Sequence, residues 1–209
     1  MDKKHPFFSV IVPEHNSADF MRKGLDSIKA QTFTDYELIV VCDTVEDYLI
    51  AQEYTDRAFL TNELRCGPKR NIGMYAAIGK WILFMDDDDW FMDSMVFQTI
   101  ADVVGKEDED ILAFGFYWKG HGAHQNKPGH LYTAVWNKCW RKEFILRIGA
   151  RFPDWEHSDD DGFSRLTHPK AQKIAYLNQC LYFYNFLREG SLTWKIENGI
   201  MDGTIPKEL

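Results

Sequence analysis

Two hydrophobic periods take turns along the first half of this chain. Short β-branched apolar runs at residues 7–13 (FFSVIVP), 36–43 (YELIVVCD), 56–62 (DRAFLTN) and 80–86 (KWILFMD) read as strands. Between them, apolar residues recur at helical spacing. Phe20, Met21, Leu25 and Ile28 predict a helix with Ser17 or Asp19 as its cap. Further helices are predicted at 45–54, at 67–79 from about Pro68 with Gly79 as a stop, and at 94–104. Strands alternating with helices imply an α/β fold, a parallel sheet wound on right-handed crossovers. After residue 110 the pattern loosens into a strand (110–118), a polar loop (120–130), a helix (136–149), a segment beginning as a loop (151–168) and a strand (174–186). There is no Pro/Gly/Ser-rich linker and no internal repeat. The expectation is one domain over 1–209: a nucleotide-type front half (about 7–110), a more variable half (about 111–193) and a tail (194–209).

Composition narrows the field. A hydrophobic fraction of 45% and an aromatic fraction of 15% belong to a packed globular protein. A net charge of -8 argues against gripping nucleic acid by bulk electrostatics. Cys42, Cys66, Cys139 and Cys180 are scattered and form no CxxC pair, as reduced thiols of a cytoplasmic protein would be. The basic start MDKKHPFF lacks a cleavage site, and no apolar run reaches about 20 residues, the length of a membrane span. Peripheral membrane association stays open.

In open parallel sheets the ligand lies at the carboxyl ends of the strands. Three strand ends carry polar chemistry: Pro13-Glu14-His15-Asn16, Cys42-Asp43, and the run Asp86-Asp87-Asp88-Asp89. These are expected to share one crevice. Adjacent carboxylates repel by about 1–4 kcal/mol per pair, so a positive group should sit among them. On a strand, Asp86 and Asp88 would point one way and Asp87 and Asp89 the other. One pair would then be free to hold Mg²⁺ or Mn²⁺, whose open positions accept phosphate oxygens. An ordinary solvated acidic turn is the competing reading. Arg65, Lys69 and Arg70, at a helix start, offer positive partners for phosphates. No GxxxxGK[ST] or GxGxxG occurs, which argues against P-loop phosphoryl transfer.

Taken in order, SVIVPEHNSADFMRKGLDSIKAQTFTDYELIVVCD, GPKRNIGMYAAIGKWILFMDDDDWF, KCWRKEFILRIGARFPD and SDDDGF resemble glycosyltransferase family 2. The resemblance runs from about residue 7 to about residue 193. It implies a GT-A fold with a Rossmann-like, mostly parallel central sheet flanked by helices and a smaller acceptor-side subregion. It also implies inverting transfer from a nucleotide diphosphate sugar, UDP-linked by preference, to a glycan or other hydroxyl acceptor, as in cell-surface polysaccharide synthesis. Carried over by position, Pro13, His15 and Asn16 meet the nucleobase and ribose, and Asp43 hydrogen-bonds a uracil-type base edge. Lys69, Arg70 and Asn71 lie near the base and diphosphate. Asp86 and Asp88 are the outer acids of the D-x-D-D pattern, with Asp88 as the direct metal ligand and Asp87 facing the ribose. Asp160 becomes the catalytic base and Asp159 its acidic neighbour, or Asp161 the base if the register slips by one.

The second-strand ending, VCDTVED, departs from the family's two acids and Gly-Ser. It raises the alternative of a catalytically silent nucleotide-sugar-binding module. A metal-dependent nucleotidyltransferase is disfavoured, because PEHNSADF is not a Gly-rich phosphate loop. His121, His124 and His130 lack a fourth zinc ligand in register and read as loop. Of the back-half tryptophans, Trp136 and Trp140 read as core and Trp155 as an acceptor contact.

Overall fold

A computed structural model of the chain describes residues 5–104 and 108–207. The basic start at 1–4 and the end of the tail at 208–209 lie outside the described residues. Four strands form the parallel front: β1 (Phe8–Glu14), β2 (Tyr36–Cys42), β3 (Ala58–Leu60) and β4 (Trp81–Phe84). They lie in the order β3-β2-β1-β4, with α1 (Met21–Lys29), α2 (Val45–Gln52) and α3 (Cys66–Ala76) as connections. The chain leaves β1 towards β2, then returns to the other side of β1 with β4. The carboxyl ends of β1 and β4 therefore flank a topological switch point, where a crevice opens.

Both faces of this sheet are covered, which is why its strands are continuous apolar runs. Alternate residues divide between two cores. Val10, Val12, Val40 and Leu83 pack with Leu25 and Ile28 of α1 and with Phe97 and Ile100 of α4 (Val96–Val104). Ile11, Ile39, Ile82 and Phe84 pack with α3, α5 (Lys142–Ile148) and α6 (Asp159–Thr167). Gly73 lets α3 lie close on β1, since a Cβ there would stand 2.3 Å from the Ile11 Cγ2.

The sheet continues through β8 (Lys138–Arg141), antiparallel to both β4 and β6 (Ile111–Trp118). β9 (Ile174–Tyr184) runs parallel to β6, and β5 (Trp90–Phe91) closes the far edge against β9. β7 (Gly122–His124) pairs with β6 inside the segment read as a polar loop. There His124 stacks on Phe116 and bonds the Tyr132 hydroxyl at 3.0 Å.

Two local expectations need correction. The helix predicted over 136–149 is a strand followed by a shorter helix. Cys139 and Trp140 are buried in opposite cores, as only the two-residue period of a strand allows. Neither Ser17 nor Asp19 caps α1, whose N-cap is Phe20. The Ser17 hydroxyl donates instead to Glu14, and its carbonyl accepts from the Phe20 and Met21 amides. The loop after residue 151 ends in α6, and the tail carries α7 (Leu192–Glu197).

Candidate active site

β4 ends at Phe84, so residues 86–89 form a turn closed by the Asp89 amide on the Asp86 carbonyl at 3.2 Å. The expected strand alternation of the four carboxylates does not occur. Each has its own partner. Asp86 Oδ1 meets the Arg70 guanidinium at 2.5 Å, and Asp87 Oδ2 accepts from the His15 amide at 3.2 Å. Asp88 Oδ2 meets Arg188 Nε at 2.7 Å. Asp89 is buried and accepts from the Tyr182 hydroxyl and the Asn185 amide, both at 2.8 Å. The positive charge expected among the aspartates is thus supplied in part by two arginines of the chain itself.

Two cations do not compensate four crowded carboxylates. Burial first, then the neighbouring Asp88 charge, pushes the Asp87 carboxyl up to about 7. Asp88 is raised by burial against the opposing pull of Arg188, and Asp89 lies well above the carboxylate range for the same first reason. The turn holds protons near neutrality where a divalent ion would otherwise balance it. Asp86 and Asp88 offer oxygen donors only, the chemistry that suits a hard ion such as Mg²⁺ or Mn²⁺. Among the described residues no three His, Cys, Asp or Glu side chains form a ready-made cage. Such an ion would complete its shell from substrate oxygens and water.

Arg70 ties this turn to α6. It is 4% exposed, and one nitrogen meets Asp86 while the other meets Asp159. α3 can deliver it there because Gly67 permits close approach: a Cβ at Gly67 would stand 2.4 Å from the Pro153 carbonyl oxygen. The three acids opening α6 separate by environment. Asp159 is engaged by Arg70, and Asp161 pairs with Arg165 one turn on at 2.6 Å. Asp160 carries no ion-pair partner among the described contacts, and its Oδ1 accepts only the Asp161 amide at 3.0 Å. Burial and then the Asp159 charge push its carboxyl up to about 7.

At the end of β2, the Asp43 side chain is 1% exposed. Its Oδ2 takes both Lys69 Nζ at 2.8 Å and His15 Nδ1 at 2.6 Å, while its Oδ1 has no partner. Lys69 also donates to the Glu14 carbonyl at 2.7 Å and is wholly buried. The substituted second-strand ending has structural work: Thr44 caps α2 by accepting the Asp47 amide at 3.1 Å, and Asp47 receives the Ser17 amide.

These contacts link His15 to Asp43 and Asp87, and Arg70 links Asp86 to Asp159, the neighbour of Asp160. Lys69 and Arg70 are buried and engaged in internal ion pairs. Asn71 points the other way, its amide exchanging two 2.9 Å hydrogen bonds with the Phe152 backbone. Pro13 is buried in β1, tolerated because β4 pairing stops opposite Ile11. Asn16 is exposed with a left-handed φ of 49°. The Trp155 indole lies against Gly162 of α6, where a Cβ would come within 2.8 Å of it. Arg188, Asn185 and Tyr182 were not anticipated from sequence. All three lie in the last segment of the family resemblance, with Arg188 two residues before Gly190.

A family model described as "Glycosyl transferase family 2" matches residues 9–173. The chain belongs to that family. Among family 2 relatives, it is 27% identical over 210 residues to the uncharacterized glycosyltransferase EpsJ of Bacillus subtilis, covering 86% of this chain and 61% of that protein. It is 27% identical over 207 residues to the poly(ribitol-phosphate) beta-N-acetylglucosaminyltransferase TarS of Staphylococcus aureus, covering 88% of this chain and 36% of TarS. The chain thus spans less than two thirds of the length of these relatives. Its fold is that of TarS 1-349 in complex with UDP-GlcNAc, with a TM-score of 0.77, 24% identity, and coverage of 90% of this chain and 60% of that one. The mannosyltransferase PcManGT of Pyrobaculum calidifontis, solved with GDP-Man and Mn²⁺, superposes at a TM-score of 0.69 with 16% identity over 98% of this chain and 67% of that one. The fold is GT-A.

Proposed function

We propose that this domain moves a sugar, with inversion, from a UDP-linked donor to a hydroxyl of a glycan or polyol acceptor in surface-polymer synthesis. The observation that carries the proposal is the join made by Arg70. It brackets the acidic turn with Asp86 and the start of α6 with Asp159, which supports reading the turn as the leaving-group site and the adjacent Asp160 as the base beside it. The buried, unpartnered Oδ1 of Asp43 supports recognition of a base edge that presents an N–H donor.

Inverting transfer is an in-line displacement at the anomeric carbon. Asp160 accepts the acceptor hydroxyl proton as that oxygen attacks, a role suited to a carboxylate titrating near 7. Asp159, fixed by Arg70, keeps α6 in register and raises the basicity of its neighbour. Asp86 and Asp88 would hold Mn²⁺ or Mg²⁺, which when bound stabilises the charge of the departing diphosphate as a Lewis acid. Asp87 meets the donor ribose, and Trp155 flanks the acceptor side of α6. Among the described residues no helix is long and apolar enough to cross a membrane, and all four thiols are free. The free thiols fit a reaction on the reducing, cytoplasmic side.

The test is hydrolysis and transfer with a panel of nucleotide sugars and Mn²⁺, comparing the parent with Asp160→Asn and Asp88→Asn. UDP-sugars should be turned over slowly by the parent, with activity lost in both variants. A parent that binds UDP-sugars without turnover would sink the enzymatic reading in favour of a silent binding module.

A further inference from the structure

Arg70 and Arg188 both neutralise the acidic turn, but they are held very differently. Arg70 is locked between two carboxylates at 4% exposure. Arg188 lies on the connection between β9 and α7. It touches the turn only through Nε on Asp88 Oδ2 at 2.7 Å, and its guanidinium rests on the Phe20 ring at 4.3 Å. A third contact, from NH1 to the neighbouring Glu189 carbonyl at 3.3 Å, is local to the same segment. The preceding residue, Leu187, adopts φ 55° and is 41% exposed. A branched residue in the left-handed region costs of order 1–3 kcal/mol and persists only where surrounding contacts hold it. Here the contact following it is the Arg188–Asp88 pair. The segment is anchored upstream by the Asn185 amide on Asp89, so Arg188 can swing without detaching the chain from the turn.

We propose that Arg188 is a displaceable counter-cation: it occupies Asp88 until a divalent ion takes that carboxylate, and then turns to the diphosphate of the nucleotide. This inference rests on the proposed metal position at Asp86 and Asp88. Asp88 is the one carboxylate at the turn whose cationic partner is not fixed from both sides. Exchange of a single charge for a double one favours divalent over monovalent ions. Released into the same crevice, the planar fork of Arg188 is suited to bidentate phosphate contact. Because Lys69 and Arg70 are internally committed, Arg188 supplies the mobile positive charge that the diphosphate side otherwise lacks. Metal and nucleotide should then bind with positive, reciprocal coupling.

The test is Mn²⁺ binding followed by electron paramagnetic resonance, with and without UDP, on the parent chain, Arg188→Gln, Arg188→Lys and Asp88→Asn. Without nucleotide, Arg188→Gln should bind Mn²⁺ about tenfold more tightly than the parent, the scale of one charge-assisted hydrogen bond. UDP should tighten Mn²⁺ binding in the parent and do so much less in Arg188→Gln, while Arg188→Lys keeps most of the parental coupling. Unchanged or weaker Mn²⁺ binding in Arg188→Gln, with binding lost in Asp88→Asn, would overturn the displacement and leave the metal position standing. If Asp88→Asn bound Mn²⁺ like the parent, the proposed metal position would itself fail and the displacement with it.

Discussion

Three consecutive aspartates open α6, yet their surroundings assign them different work. Asp159 is consumed by Arg70 and Asp161 by Arg165, which leaves Asp160 with a carboxylate raised to about 7. Asp160→Asn removes the basic oxygen while keeping size and hydrogen-bonding shape. Transfer should fall about 10²–10⁴-fold with little change in UDP binding, read as a loss in kcat at nearly constant donor KM. A base must be deprotonated to act, so parental kcat should rise with pH and level off above about 7. A flat profile from pH 5.5 to 8 would remove Asp160 from that role. Lys69 makes a second residue-level case. Its ammonium and the Asp43 carboxylate are almost wholly out of water, and removing one partner of a buried pair leaves the other uncompensated. Lys69→Met should destabilise the fold by about 3 kcal/mol in urea denaturation and weaken UDP binding, because Asp43 loses one of its two anchors.

Elements with one strong period were legible in the sequence, and elements in which two periods overlap were not. The front strands β1, β2 and β4 are mostly apolar because both faces are covered, and α1 has a clean apolar stripe. Residues 136–149 contain apolar positions that satisfy helical spacing, and only the sheet pairing of Cys139 and Trp140 fixes the first part as β8. The same limit hid the site's wiring. Strand-end position led to the expectation that Asp43 and the 86–89 run share a crevice, and only the family resemblance added Asp160 to it. Which cation would be held between two carboxylates and which would meet only one depends on helix packing that no local pattern encodes. Gly67 shows how much hangs on that packing. An Ala there gains about 1 kcal/mol in helix propensity, but its Cβ would meet the Pro153 carbonyl oxygen at 2.4 Å and the Asp159 side chain at 3.1 Å. Backbone oxygen cannot rotate away, so overpacking of about 1–3 kcal/mol should win. Gly67→Ala should show a net loss of about 1 kcal/mol and a larger loss in kcat, since Arg70 would no longer bracket Asp86 and Asp159. A more stable variant with full activity would contradict this account of how α3 meets α6.

Viewed as one electrostatic object, the molecule concentrates its tension at the crevice. Asp87 and Asp160 are raised to about 7, while Asp89 and Glu14 lie well above their usual range, with burial as the first cause in each. In the unfolded chain an aspartate releases its proton near 3.9. From about pH 4 to 7 the folded protein therefore holds protons that the unfolded chain has lost. The stability contributed by Asp87 and Asp160 is complete below that window and is gone once pH has risen through about 7, with a slope of at most about 1.4 kcal/mol per unit for each group. His168, lowered to about 3, and Lys138, lowered to about 7, both by burial, act in the opposite direction. The four raised carboxyls outnumber them, so without metal thermal stability should decline from pH 5.5 to 8. A divalent ion at the turn competes with the same protons. At pH 8 it binds carboxylates already bare, whereas at pH 6 it must first expel protons. The rise in Tm on adding Mn²⁺ should accordingly be larger at pH 8 than at pH 6, and should vanish at both in Asp88→Asn. An equal rise at both pH values would mean that the ion binds away from the acidic turn, and the chemistry assigned to Asp86 and Asp88 would have to be moved elsewhere.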